Sequence, residues 1–483
     1  MFCHTFGIVF PLSFAYILAL TTTLPVGRIK KNCSKIVVAI RYVNDLGNGH
    51  SGYIDAISGI PVSTISGQPL EITTASGQPI PITTAGTPGS DAFGRTRISQ
   101  PLTLFDSSHR YSDNGLWATA TGVSSDATFN ADAGLVNLNV PTTSGAYVKR
   151  ETKKVFSYQP GKSLLILSTF VLEPATTNLR QRVGYYGANN GLYLQLENST
   201  LSFVERNSVT GTLDETVVNQ ADWNVDKLDG TGPSGKTLDI TKAQILWMDV
   251  EWLGLGTVRL GFVIDGLFIH CHSFHHANLI TSTYITTASL PLRYEIENLD
   301  DTASISTLKQ VCSTVISEGG YELRGRQGAV GTPVNAARDL TATGVQYPIV
   351  SIRLKSSPDR LDAIIIPTAA SILGNGNNAV FAWELKAAAT TSGGTWTSAG
   401  ATSSVEYNLS GVSSSGGRSL ARGYVSSTTQ SNNSLDILKA ALFQFQLQRD
   451  GLAGTPEEFS LLVETKTAGD DVYASLDWEE ISL

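Results

Sequence analysis

The chain has 483 residues, of which 41% are hydrophobic and only 16% charged, with a formal net charge of −8. That length accommodates two or three domains with their own cores. The acidic balance and the absence of a long basic run argue against a nucleic-acid binder, which needs Lys and Arg to displace counterions from phosphates. The four cysteines, Cys3, Cys33, Cys271 and Cys312, show no C-x-x-C spacing and speak against a cysteine-based zinc site. They are also too sparse for a disulfide scaffold, although one Cys271–Cys312 bridge stays open at this stage.

Residues 1–45 open with a nearly continuous apolar run, MFCHTFGIVFPLSFAYILAL. It is too short and too interrupted by Pro11 for a spanning helix, and it lacks the positive n-region of a signal peptide. An export signal, a membrane anchor, a buried attachment segment and a misplaced start codon all remain open, so membrane contact is undecided. Residues 46–90 follow as a Gly/Pro-punctuated repeat: SGIPVSTI, then SGQPLEITTA, then SGQPIPITTA. A ten-residue unit cannot bury its own apolar side, so the segment is expected to be either an extended linker or a thin stalk wound from several copies. The register of Leu70, Ile72, Ile80 and Ile82 favours the multi-chain stalk.

From residue 91 the pattern is short β-branched and aromatic runs between Gly, Asn, Asp and Ser clusters. Residues 182–212 are expected to form a three-stranded meander turning at Asn190-Gly191 and Asn198-Ser199. VRLGFVIDGLFIHCH, 258–272, predicts a hairpin on a type I′ Asp265-Gly266 turn. Its register sets Leu260 opposite Cys271, and puts Arg259, Phe268, His270 and His272 on one outer face. Alternation of Phe443, Phe445 and Leu447 with glutamines predicts another half-buried strand. A boundary is expected near 335–345, and the Ser/Gly/Thr-rich stretch 389–430 is expected to be surface loops. The fold class is therefore mainly β: a lectin-like, jelly-roll antiparallel sandwich over 91–340, a second β-sandwich over 341–483, and the extended N-terminal segment before them.

Several motifs carry candidate chemistry. GTGPSG, 230–235, has the Gly-x-Gly-x-x-Gly spacing of dinucleotide sites, but no strand–loop–helix context surrounds it. It reads as an Asx-and-Gly turn cluster, with Asp226, Asp229 and Asp239 leaving a weak calcium option. In WMDVEW, 247–252, Asp249 and Glu251 leave one strand on the same side, as in the Glu-x-Asp-x-Glu strand of laminarinase-type glycosidases. Trp247 stands where that pattern needs a carboxylate, and retaining hydrolysis needs two. His270 and His272 could offer two imidazoles to a metal, but Arg259 is expected opposite His272, and no metal or other cofactor is expected. Tyr185, Tyr186, Tyr193 and Trp223 are candidate platforms for sugar rings, weighed against the commoner fate of aromatics in the core. GVSSSGG, 411–417, is no nucleophile elbow.

SDAFGRTRISQPLTLFDSSHRY, 90–111, resembles a segment of virion structural, fibre-like proteins of marine tailed phages and large algal DNA viruses. WNVDKLDGTGPSGKTLDITKAQILWMDVEWLGLGTVRLGFVIDG, LPLRYEIEN and YPIVSIRLKSSPDRLDAIIIP are similar to the same family. The resemblance covers roughly 90–483 and attaches no catalytic residue. It implies a non-enzymatic protein of the virion surface, a fibre, spike or capsid decoration. Its expected partners are two further copies in a homotrimer, other virion proteins and a host-surface glycan. The alternatives are a sandwich-fold glycan hydrolase using Asp249 or Glu251, and a secreted cellular lectin.

Overall fold

The computed structural model describes residues 38–43, 49–54 and 100–482, apart from 323 and 429–444. The apolar run at 1–20 and nearly all of the repeat segment 46–90 lie outside the described residues. The chain divides into two compact units, Met1–Arg97 and Ile98–Leu483. In the first, β1 (Val38–Val43) pairs antiparallel with β2 (Gly49–Ile54), so the 45/46 division falls within a hairpin.

The second unit begins with fifteen strands that share one core. They are β3 (Leu102–Ser108), β4 (Trp117–Gly122), β5 (Asp126–Asn130), β6 (Leu135–Val140), β7 (Tyr147–Thr152), β8 (Leu164–Val171), β9 (Leu179–Tyr186) and β10 (Gly191–Glu197). After them come β11 (Thr200–Asn207), β12 (Asp214–Asn219), β13 (Gln244–Val250), β14 (Val258–Ile264), β15 (Leu267–Phe274), β16 (Leu292–Asn298) and β17 (Ser306–Ser317). Seven form one sheet in the order β12-β11-β10-β9-β16-β7-β4. The rest form the facing sheet, β15-β14-β13-β8-β17-β6-β5, with β3 alongside β17. Every pairing is antiparallel, and the chain switches repeatedly between sheets, as in a jelly roll. Alternation builds the core: Leu246, Met248 and Val250 point inward and are wholly buried, and Phe203 meets Phe262 across the sandwich at 6.2 Å.

The predicted turns form. Gly191 pairs with Tyr186, and Glu197 with Thr200 around Asn198, giving the meander. Asp265 and Gly266 both take positive φ, 53° and 76°, as a type I′ turn requires. The hairpin register holds from Ile264–Leu267 to Gly261–His270 and then shifts. A β-bulge leaves Cys271 without a partner, so Leu260 faces His272, not Cys271, and Arg259 faces Ser273, not His272. Both described cysteines are free.

The second core is built from β18 (Arg326–Gly331), β19 (Arg338–Leu340), β20 (Tyr347–Leu354), β21 (Ile364–Asn375), β22 (Val380–Ser392), β23 (Thr397–Ser398), β24 (Val405–Asn408) and β25 (Ser413–Ser426). It is completed by β26 (Arg449–Asp450), β27 (Thr455–Pro456), β28 (Glu458–Thr465) and β29 (Asp470–Ser482). One sheet runs β23-β24-β20-β28-β22-β25; in the other, β29 is flanked by β21 and by β18 and β19. Trp478, Phe381 and Ile365 fill the space between them. Because β18 already pairs with β29, the change of core falls before Arg326 and not at 335–345.

Two other expectations change. Much of the Ser/Gly/Thr-rich stretch is strand: β25 pairs with β22 over its length, its side chains largely exposed at a sheet edge. Residues 445–448 belong to no ladder, and Phe443 and Gln444 lie outside the described residues. Gln446 is buried and donates to the Val155 carbonyl at 3.0 Å, while the Leu447 amide donates to Ile365, so cross-core contacts override the alternation.

A buried cation anchors the entry to the first sandwich. Arg150 on β7 points between the sheets and donates to Gln310 (2.7 Å), Thr119 (2.9 Å) and both oxygens of Asp113 (2.9 and 2.8 Å). Removing the carboxylate leaves a guanidinium with no counter-charge in the core. Asp113→Ala should lower unfolding free energy by about 2–4 kcal/mol, less than for a fully enclosed pair because Asp113 is itself half-exposed. Chemical denaturation of variant and parent checks this.

Candidate ligand-binding face

Of the residues singled out from sequence, Asp249 and His270 lie on the outer face of the sheet containing β13, together with Trp247, Arg259 and Phe268. On β13 that face is presented by Ile245, Trp247 and Asp249, alternate to the core positions. One cross-strand row runs His270, Gly261, Trp247, Leu167, Thr314. A neighbouring row runs Ser273, Arg259, Asp249, Leu165, Ile316.

Trp247 lies flat against the sheet. Its Nε1 donates to the Ile269 carbonyl at 3.2 Å, and a Cβ added at Gly261 would stand 2.9 Å from that nitrogen. Gly261 is thus required by close approach. Phe268 and His270 flank the indole at centroid distances of 5.8 and 5.9 Å. Phe268 is 57% exposed, so the row offers an accessible aromatic edge over a buried indole. Beside it, the Arg259 guanidinium donates to Asp249 Oδ2. Burial pushes the Asp249 carboxyl up, and the Arg259 contact only partly opposes it. Arg259 is largely exposed, with donors to spare for a second acceptor.

Glu251 does not stand beside Asp249 on a strand. β13 ends at Val250, and Glu251 turns into the 251–257 loop, where its Oε2 accepts from the Thr257 amide at 3.2 Å. The two carboxylates therefore do different local jobs: one holds Arg259, the other closes a loop.

The histidines separate as well. The bulge leaves His270 on the outer face, where its Nε2 contacts Ser273 Oγ at 2.9 Å. His272 turns inward against Phe274 and Phe203, with Nδ1 accepting from the Asn224 amide at 3.3 Å. They do not face one metal position, and among the described residues no cluster of His, Cys, Asp or Glu is arranged to hold an ion.

Of the four expected sugar platforms, Tyr185 and Trp223 belong to the core. Tyr185 donates to the Ala288 carbonyl at 2.6 Å, and Trp223 stacks on Phe203 at 4.4 Å. Tyr186 and Tyr193 do point out of the seven-stranded sheet, 4.5 Å apart, but both are sealed. Arg206 lies over both rings, Arg293 over Tyr186 and Arg182 over Tyr193. Those cations are engaged by Glu215, Glu151 and Glu295. The GTGPSG loop is held by Asp226, which accepts from the Leu228 and Ser234 amides at 2.9 and 2.7 Å, consistent with an Asx-type turn cluster.

No family model matches the chain, and no curated protein matches it in sequence. Solved structures similar to part of it include a β-glucanase from Bacillus licheniformis (11% identity, 44% of this chain, 96% of that chain, TM-score 0.30). The carbohydrate recognition domain of Emp47p is similar at 12% identity over 47% of this chain and 99% of that one, TM-score 0.29. A protein of unknown function from Shewanella oneidensis MR-1 reaches 12% identity over 50% and 100%, TM-score 0.31. At this identity and superposition they assign no residue here.

His276 and His272 should titrate on opposite sides of the ordinary imidazole. Burial lowers His276, but the Glu205 carboxylate at 2.8 Å outweighs it and the net shift is upward. Its contribution to stability is present below pH 6.5 and is lost as pH rises through the raised value. Burial pulls His272 down to about 4, so its neutral-state contribution is present above 6.5 and is lost as pH falls toward 4. NMR titration of the ring protons should resolve this order, and His272→Phe should reduce the acid-side loss of stability.

Proposed function

We propose that the chain is a non-enzymatic surface protein of a virus particle, and that it adheres to host-surface glycan through the outer face of its eight-stranded sheet. The observation that carries the adhesion reading is the pairing of the Trp247–Phe268 row with the Arg259–Asp249 row on one accessible face. A sugar presents an apolar C–H face, which an aromatic ring covers, and a rim of hydroxyls, which a charged fork reads. Such a shallow site binds weakly alone. Three copies carried on a shared stalk would multiply it through effective concentration, which fits the homotrimer expected from the repeats. The placement on a virion rests on the resemblance of 90–111 and the later segments to fibre-like virion proteins.

The runner-up is a glycan hydrolase using Asp249. Its one favourable observation is that Asp249 is buried and its carboxyl pushed up, as a general acid requires. Retaining chemistry would also need a second carboxyl about 5 Å away, and Glu251 is engaged in its own loop.

Binding of the full chain to an array of algal and bacterial surface polysaccharides tests the proposal. Phe268→Ala and Arg259→Ala should each weaken binding by about tenfold, the loss of roughly 1.4 kcal/mol expected for one stacking or charge-assisted contact. Tyr424→Ala, an exposed aromatic change in the second sandwich, should leave it unchanged. Equal binding by all three variants would remove the face from consideration.

A further inference from the structure

A cavity of about 530 Å³ lies between the two cores of the second unit, within the size range of small-ligand sites. Phe105 and Phe156 from the first sandwich, and Ile366 and Phe445 from the second, supply apolar wall. Two cations, Lys154 and Arg418, also line it.

The partners of these cations set the cavity apart. Elsewhere along the same junction cations meet carboxylates: Lys153 pairs with Glu457 at 2.5 Å, and Arg449 with Glu151 and Asp362. Lys154 has only a backbone carbonyl, that of Leu104, at 3.0 Å, and Arg418 has only the Phe445 ring, 5.6 Å from its guanidinium carbon. Among the described residues neither forms an ion pair. Asp106, the carboxylate of the lining, is exposed and bonds neither of them. Holding an ammonium out of water beside a neutral acceptor is costly unless a counter-charge arrives. Burial pushes the Lys154 ammonium down from its ordinary value, and an anion placed beside it would oppose that shift.

We infer that this inter-sandwich cavity binds a small carboxylate-bearing ligand, its charged end between Lys154 and Arg418 and its uncharged body against the Phe156–Phe445 wall. The inference is independent of the outer face and does not require the glycan reading. The carboxylate could sit on an apolar body or on an acidic sugar, and the test separates the two.

The experiment is calorimetric titration of the full chain with 4-phenylbutyrate and with galacturonate, each against its neutral counterpart, 4-phenylbutanamide and galactose. At least one carboxylate should bind tenfold or more tightly than its neutral partner and raise Tm. Preference for phenylbutyrate identifies an amphiphilic anion, and preference for galacturonate an acidic sugar. Lys154→Met should lose that preference while the ligand-free Tm stays equal or rises, because an uncompensated cation has been removed. Arg418→Gln, at an exposed strand position, should weaken binding without affecting folding and serves if Lys154→Met misfolds. Failure of both carboxylates to outbind their neutral partners, or unchanged binding in both variants, would overturn the assignment.

Discussion

One carboxylate joins the two halves of the second unit. Glu151 lies on the first sandwich, almost entirely buried, and takes the guanidinium of Arg293 from its own sheet and that of Arg449 from the chain's far end. Arg449 in turn reaches Asp362. A buried charge tolerates little displacement, because each lost partner leaves an uncompensated ion. The junction therefore fixes how the loop around β26 and β27 lies against β7. The Lys153–Glu457 pair and the Gln446–Val155 contact then continue the same seam. The cavity lined by Lys154 and Phe156 is a consequence of that seam: the strand that presents Glu151 to Arg449 carries Lys154 and Phe156 to the cavity wall a few residues later.

The same logic closes one face of the first sandwich and leaves the other open. Outward-facing side chains of the seven-stranded sheet form a continuous web in which Arg182, Arg206 and Arg293 lie on Tyr186 and Tyr193 and pair with Glu215, Glu295 and Glu151. Its charges are paired internally. The eight-stranded sheet carries fewer charges on its outer face, and its main pair, Arg259–Asp249, keeps an exposed guanidinium. The bulge at Cys271 matters here, because it turns His272 into the core and sets Ser273 beside Arg259. Without it, His272 would continue the outer face as simple alternation requires.

What could be read from sequence was what depends on neighbours in the chain. Asp265-Gly266 specifies its turn through φ, so the hairpin was legible, as was the meander at Asn190-Gly191 and Asn198-Ser199. The bulge was not legible, since nothing in FIHCHSF marks which residue drops out of the ladder. Aromatic identity did not tell inside from outside: Tyr185 and Tyr186 are adjacent, and strand parity alone sends one to the core and the other to the arginine web. Phe268 and Arg259 were legible as outer-face residues, but their pairing with a flat-lying Trp247 depends on Gly261, two strand positions from Arg259. The seam was wholly illegible, because Arg449 and Glu151 are 298 positions apart. The serine- and glycine-rich β25 looked like a loop because an exposed edge strand has no apolar period to announce it.

An adhesive face and a hydrolytic one differ in a single property, whether the bound saccharide is turned over. The most direct measurement is to incubate the full chain with a polysaccharide it retains and weigh both the bound and the free saccharide by mass spectrometry over time. The saccharide should stay on the protein with its chain-length distribution unchanged. Progressive appearance of shorter oligosaccharides, abolished by Asp249→Asn, would contradict it and establish a hydrolase.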